Sequence, residues 1–320
     1  MLLEITDLSV SFQSIYGTTN VLDRVSLAIK PGEIVGIVGE SGSGKSVTAQ
    51  SILRLLDKNA TYTGGSIRYH GQELLSLNEK DIQALRGKKI GMVFQEPMTA
   101  LNPTMRIGHQ LANVIRKHRS VSKAEAAQLA VAALAAVQMK DPEKVFRQYP
   151  YELSGGMRQR VVVALAMSSP PELLIADEPT TALDVTVQAE VLKLMKELST
   201  KSGTSVMLIT HDIGVVANMC DRVYVMYGGT VVESGKTADV LYHSEHPYTR
   251  ALIEALPEGK AKSEPLKVIE GESFNARKRP TGCVFSERCP KRNGRCEEKP
   301  PFFESAYGHQ SACWEVKAAP

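Results

Sequence analysis

In Gly39-Glu40-Ser41-Gly42-Ser43-Gly44-Lys45-Ser46, three glycines are spaced ahead of a lysine and a hydroxyl. Glycines let a backbone curl so that successive N–H groups point at phosphate oxygens. Lys45 adds a positive charge for the β- and γ-phosphates, and the Ser46 hydroxyl suits Mg²⁺. Val47 continues the helix that such a loop opens. The stretch before it, Glu33-Ile-Val-Gly-Ile-Val-Gly39, is continuously apolar, as a strand buried on both faces would be. Strand, glycine loop and helix in that order support a phosphate-binding reading, with a nucleoside triphosphate and Mg²⁺ as the expected ligands.

A second apolar stretch, Leu173-Leu-Ile-Ala-Asp177, ends in two acids, Asp177 and Glu178. A lone carboxylate at the end of such a strand is costly, and holding the Mg²⁺ shell would account for Asp177. Successive side chains leave a strand on opposite faces, so Glu178 can address the γ-phosphate as the general base for a water. Adjacent acids at a strand end also serve as helix N-caps, and Pro179-Thr180 does begin a turn. His211 closes a third apolar run, Ser205–His211, where a single histidine is more often a solvent or capping residue. Gln95 ends the run Ile90–Gln95. Ser154, Gly155 and Gly156 place a hydroxyl and two exposed backbone N–H groups at a helix start, whose dipole favours an anion.

Four of the five cysteines, Cys283, Cys289, Cys296 and Cys313, lie in the last 40 residues, and Cys220 stands apart. In a reducing compartment such clustering favours a metal or cluster over disulfides. Cys283-x5-Cys289-Pro290-x5-Cys296-x16-Cys313 suits four thiolates on one [4Fe–4S] cluster. The spacing lacks the close cysteine pairs of zinc ribbons, and a four-cysteine Zn²⁺ site is the alternative. Arg277, Lys278, Arg279, Lys291, Arg292 and Arg295 make this region basic.

The elements that must carry these groups alternate strand and helix, an α/β pattern with a largely parallel sheet. Residues 3–12 and 24–30 alternate apolar and polar side chains, as antiparallel edge strands do. Ser66–Gly71 reads as a further strand, and Arg222–Glu233 as a hairpin around Gly228-Gly229. From Pro97 to about Leu153 the pattern is helical, with Ser122-Lys-Ala-Glu125 a capping box opening a helix to Met139. Met157–Ser169 reads as the next helix, stopped by Pro170-Pro171. Val187, Val191, Leu194, Met195 and Leu198 make a helical core stripe, with Gly203 the expected stop. Thr237–Leu256 reads as helix broken near Pro247, and Glu258–Arg279 as a linker.

Hydrophobic residues make up 43% of the chain and charged residues 23%, an ordinary globular balance. The formal net charge of +3 is too small to argue for nucleic acid as a partner. The longest apolar run, Leu129–Val137, falls short of the ~18 residues of a membrane span. The opening residues lack the basic and apolar regions of a signal peptide, so a cytoplasmic location is expected.

Leu153-Ser-Gly-Gly-Met157, with the glycine loop and Asp177-Glu178, resembles the signature of the ATP-binding cassette ATPases. The resemblance implies a P-loop core over residues 1–235 with an antiparallel β edge subdomain and a helical subdomain at about 97–155. It implies a composite site in which Ser154, Gly155 and Gly156 close over ATP held by a partner chain. His211, in Leu208-Ile-Thr-His-Asp212, would contact the γ-phosphate. Gln95 would reach Mg²⁺ and the water, with Glu96 where the family often has aspartate. Ala182-Leu-Asp184 resembles the loop that crosses the dimer seam. Tyr16 would stack on adenine, with Phe12 the competitor. The cysteines, His246-Pro-Tyr-Thr-Arg250 and Leu256-Pro257 resemble the C-terminal extension, residues 236–320, of the dipeptide/oligopeptide permease ATPases, which carry a [4Fe–4S] cluster there. That family implies a paralogous ATPase partner, two membrane-spanning permease subunits and an extracytoplasmic substrate-binding protein. It implies a peripheral position on the cytoplasmic face of the inner membrane. Nickel, glycoside and antimicrobial-peptide systems use similar ATPases, and soluble cassette ATPases form a separate alternative.

Overall fold

The structure, a computed structural model, describes residues 1–181, 183–255 and 268–316. Ala182, Leu256-Pro257 and the first part of the expected linker lie outside the described residues. The chain divides into two compact units, one of residues 1–29, 34–76 and 208–320, the other of residues 30–33 and 77–207.

In the first unit, Leu3–Ser14 and Gly17–Ile29 form an antiparallel hairpin, and Leu3–Ser14 also pairs with Ala60–Tyr69. The second strand begins well before the expected residue 24. Its early part, Gly17-Thr-Thr-Asn20, is polar and lacks an apolar alternation, so only pairing across the Ser14–Gly17 turn reveals it. Leu3, Ile5, Leu8, Val10, Leu22 and Val25 are buried beneath this sheet, each worth about 1.5–3 kcal/mol of apolar burial.

Ile34–Val38, buried at all five residues, pairs in parallel with Arg222–Tyr227. Arg222–Tyr227 turns through Gly228 (φ 54°) and Gly229 (φ 75°) into the antiparallel strand Thr230–Lys236. Left-handed backbone at two successive residues is what glycine permits. The C-terminal region then adds two short strands, Gln310–Ser311 and Phe303–Glu304, beyond Thr230–Lys236. They cover what would otherwise be an open strand edge.

One buried carboxylate ties this region together. Glu233 Oε1 accepts from the backbone N–H groups of Glu245 (2.6 Å) and His246 (3.2 Å). His309 Nε2 lies 3.0 Å from the same oxygen. The helix Pro247–Glu254 starts at this anchor, separated from Thr237–Tyr242 as Pro247 foretells.

In the second unit, Ile90–Val93 pairs in parallel with Leu173–Asp177. The helices Ile107–His118, Lys123–Ala136 and Pro142–Arg147 pack around Leu111, Ile115, Ala126, Ala130 and Leu134. Ser122 Oγ accepts from Glu125 N (3.2 Å), the expected N-cap. This helix stops short of Met139, because Gln138 takes a left-handed backbone at φ 58°. Gly155–Met167 begins two residues before the expected Met157. Val185–Ser202 ends at Gly203, φ 70°, as expected. Among the described residues no helix is long and apolar enough to cross a membrane.

Candidate ATP site and the thiol-bearing C-terminal region

The buried strand Ile34–Val38 delivers the chain into the loop, and the helix Lys45–Ile52 leaves it. Gly44 caps that helix at φ 98°, and Gly42 turns at φ 78°. Gly39 is required by proximity: a Cβ there would lie 2.1 Å from the Met226 carbonyl oxygen. Lys45, 4% exposed, donates from Nζ to the carbonyls of Gly39 (2.7 Å) and Glu40 (2.9 Å). The ammonium is thus held at the mouth of the loop it would serve. Ser41 and Gly42 are exposed, Ser43 is buried, and Ser46 and Val47 are half-buried.

Asp177 is the last residue of its strand and 4% exposed. Glu178 follows in a left-handed conformation, φ 45°, which costs a non-glycine residue about 1–3 kcal/mol. Its Oε2 accepts from Thr181 Oγ1 (2.9 Å) and Gln95 Nε2 (3.2 Å). The structure therefore brings Gln95 and Glu178 together, and adds Thr181, which sequence reasoning missed. A hydroxyl three residues after an acid in a turn is the signal that could have found it. His211 is exposed after the strand Ser205–Thr210, and Asp212 caps the next helix through Gly214 N (2.8 Å) and Val215 N (3.3 Å).

Ser154 is the N-cap of Gly155–Met167, its Oγ accepting from Met157 N (3.4 Å). Ser154 and Gly155 are exposed, so this helix start faces outward. Gly156 packs closely: a Cβ would meet Val187 Cγ1 at 2.6 Å. Asp184, of the expected seam-crossing loop, caps Val185–Ser202 through Val187 N (3.0 Å). Tyr16 sits in the hairpin turn, 75% exposed, with the Arg277 guanidinium 5.0 Å from its ring centroid. Phe12 is half-buried within its strand.

Cys283, Cys289, Cys296 and Cys313 are not in disulfides. Cys283, Cys289, Cys296 and Cys313 line one small enclosed cavity, together with His246 and Trp314. Burial pushes the Cys283 thiol up to about 11, and the neighbouring Cys296, Cys313 and Cys289 add to the rise. Cys289 and Cys313 are raised chiefly by burial as well. Among the described residues no group of three or more His, Cys, Asp or Glu side chains is gathered to hold a metal ion. That finding supports neither the zinc alternative nor the cluster at these cysteines over the other. The same finding gives the expected [4Fe–4S] cluster no preformed ligand geometry. What the four residues do offer is an all-thiol set lining one cavity.

The ABC transporter family model matches residues 22–181, and the model of the oligopeptide/dipeptide transporter C-terminal region matches residues 232–296. The oligopeptide transport ATP-binding protein OppD of Salmonella typhimurium is 45% identical, over 98% of this chain and 94% of that protein. The dipeptide transport ATP-binding protein DppD of Bacillus subtilis is 44% identical, over 98% and 94%. A solved dimeric ATP-binding cassette in a post-hydrolysis state with ADP and Pi is 30% identical. It covers 73% of this chain and 98% of its own, with a TM-score of 0.66. The class is that of the cassette ATPases. The chain belongs to the family of dipeptide and oligopeptide ABC transporter ATP-binding proteins, and is an ATPase.

Proposed function

We propose that this chain hydrolyses ATP to power the import of dipeptides or oligopeptides through partner permeases. The observation that carries the reading is one chain holding both an intact cassette residue set and the oligopeptide/dipeptide C-terminal region. Lys45 and the loop N–H groups of residues 39–46 take the phosphates, and Tyr16 takes the adenine. Ser46, Asp177 and Gln95 are the residues to hold Mg²⁺; the burial of the Asp177 carboxylate fits a cation there. Mg²⁺ held there would neutralise charge developing on the phosphates. Glu178 accepts a proton from the attacking water, Gln95 and Thr181 fix its carboxylate, and His211 steadies the γ-phosphate. Ser154, Gly155 and Gly156 serve ATP held by a homologous partner ATPase, a paralogue rather than a second copy. The exposure of Ser154 and Gly155 at a helix start supports contact with a ligand outside this chain.

The complex would comprise that partner, two membrane-spanning permeases and an extracytoplasmic binding protein, with this chain peripheral on the cytoplasmic face of the inner membrane. Cys283, Cys289, Cys296 and Cys313 would carry a [4Fe–4S] cluster, a reading supported by their spacing and shared cavity. Co-purification from membranes tests the assembly. Recovery of the chain with permease subunits and peptide-stimulated ATP turnover is the expected result. Recovery as a lone soluble ATPase indifferent to peptide would overturn it.

A further inference from the structure

Glu40 is an unexpected residue to find beside a polyphosphate. A carboxylate there repels the ligand that the loop is built to bind, unless another group neutralises it. In this structure that group comes from far along the chain. Arg288 clamps the Glu40 carboxylate with both ends of its fork, Nη1 to Oε2 at 2.8 Å and Nη2 to Oε1 at 3.2 Å. The side chain of Arg288 is only 6% exposed. It is itself fixed, with Nε donating to Glu270 O (3.0 Å), Nη2 to Ile269 O (3.1 Å) and Nη1 to the Tyr227 hydroxyl (3.3 Å).

Two further contacts act on the same residue. Glu40 N–H donates to the hydroxyl of Tyr248 at 2.8 Å. Tyr248 is fully buried, packed against Tyr227 and Phe285 with ring centroids 4.6 and 5.3 Å away. At its other end, the Glu40 carbonyl accepts from Lys45 Nζ. The C-terminal region therefore holds Glu40 by its N–H and its side chain, while Glu40 holds the phosphate-binding lysine by its carbonyl.

We propose that Arg288 and Tyr248 are positioning residues for ATP, and that the C-terminal region sets the phosphate loop through Glu40. The inference rests on the assignment of residues 39–46 as the ATP loop. Bidentate guanidinium–carboxylate pairing gives geometric specificity as well as charge balance. Removing Arg288 leaves Glu40 both free to move and uncompensated. Because linkage is reciprocal, ATP at the loop in turn favours the Arg288–Glu40 contact if that contact favours ATP.

The test measures ATP affinity in the full chain for the wild type, Arg288→Ala, Arg288→Lys, Tyr248→Phe and the double variant Arg288→Ala/Glu40→Gln, with folding checked by circular dichroism. Arg288→Ala is expected to weaken ATP binding about tenfold and Arg288→Lys less, the loss of a charge-assisted pair. The KM for ATP rises while kcat at saturating ATP stays within about twofold, the mark of lost binding rather than lost chemistry. Glu40→Gln in the Arg288→Ala background restores affinity, because no carboxylate then needs neutralising. In wild type, ATP slows backbone hydrogen exchange over residues 283–289, and in Arg288→Ala it does not. Should Arg288→Ala fail to fold, Tyr248→Phe, which removes one oxygen and keeps the packing, decides the matter by the same rise in KM. Lys45→Ala is the control: a wild type that binds ATP no better than this variant would overturn the loop assignment. Wild-type affinity in the Arg288→Ala or Tyr248→Phe variant, or a double variant as weak as Arg288→Ala, would overturn the route through Glu40.

Discussion

Gln95 Nε2 donates to Glu178 Oε2 at 3.2 Å, so a glutamine from the end of one strand fixes a carboxylate at the end of its parallel neighbour. Thr181 Oγ1 donates to the same oxygen at 2.9 Å. Glu178→Gln keeps the shape and loses the proposed base. ATP binding is expected to persist while turnover falls about 10²–10⁴-fold, the usual contribution of a positioned general base. Single-turnover assays of the assembled transporter, with nucleotide retention measured in parallel, check this.

Gly155 and Gly156 separate packing from ligand approach. A Cβ at Gly156 meets the stiff side chain of Val187 at 2.6 Å, so Gly156→Ala should cost about 1–3 kcal/mol of stability by overpacking. A Cβ at Gly155 would lie 3.7 Å from Leu183, an ordinary contact. Gly155→Ala is therefore expected to unfold at the wild-type temperature and yet to lose ATPase activity, because the added methyl occupies the outward helix start. Thermal unfolding beside ATPase assays separates the two, and full activity in Gly155→Ala would remove that helix start from the site.

The four clustered thiols predict a metal inventory. Anaerobically purified protein should contain about four iron and four sulfide per chain, and Cys289→Ser or Cys296→Ser should lose both. Stoichiometric zinc without iron or acid-labile sulfide would contradict the cluster.

Glu233 predicts a stability effect remote from ATP. Glu233→Ala strands two backbone N–H groups and His309 in a buried setting, and is expected to cost about 3–5 kcal/mol. Glu233→Gln keeps an acceptor and should cost far less. Urea unfolding of the two variants gives the comparison.

The strand, loop and helix around residues 39–46, the strand ending in Asp177 and the helix start at Ser154 were legible in the sequence because their patterns are written in adjacent residues. The close packing of Gly156 on Val187 was not, because the sequence offered it only as an exposed backbone N–H. Arg288 was not legible. In Ser286-Glu-Arg-Cys289 it reads as one more surface charge beside a cysteine, and its partner lies 248 residues away. The strands Phe303–Glu304 and Gln310–Ser311 were missed because two residues carry no periodicity. The left-handed backbone at Glu178 is likewise invisible, since nothing local in a glutamate favours it.

The most direct measurement of the central claim is ATP-driven uptake of a labelled dipeptide by the complete complex in proteoliposomes, with wild-type chain and with Glu178→Gln. Uptake that requires ATP and disappears in Glu178→Gln is the predicted result. ATP hydrolysis by the wild-type complex with no peptide uptake, or equal uptake in Glu178→Gln, would contradict it.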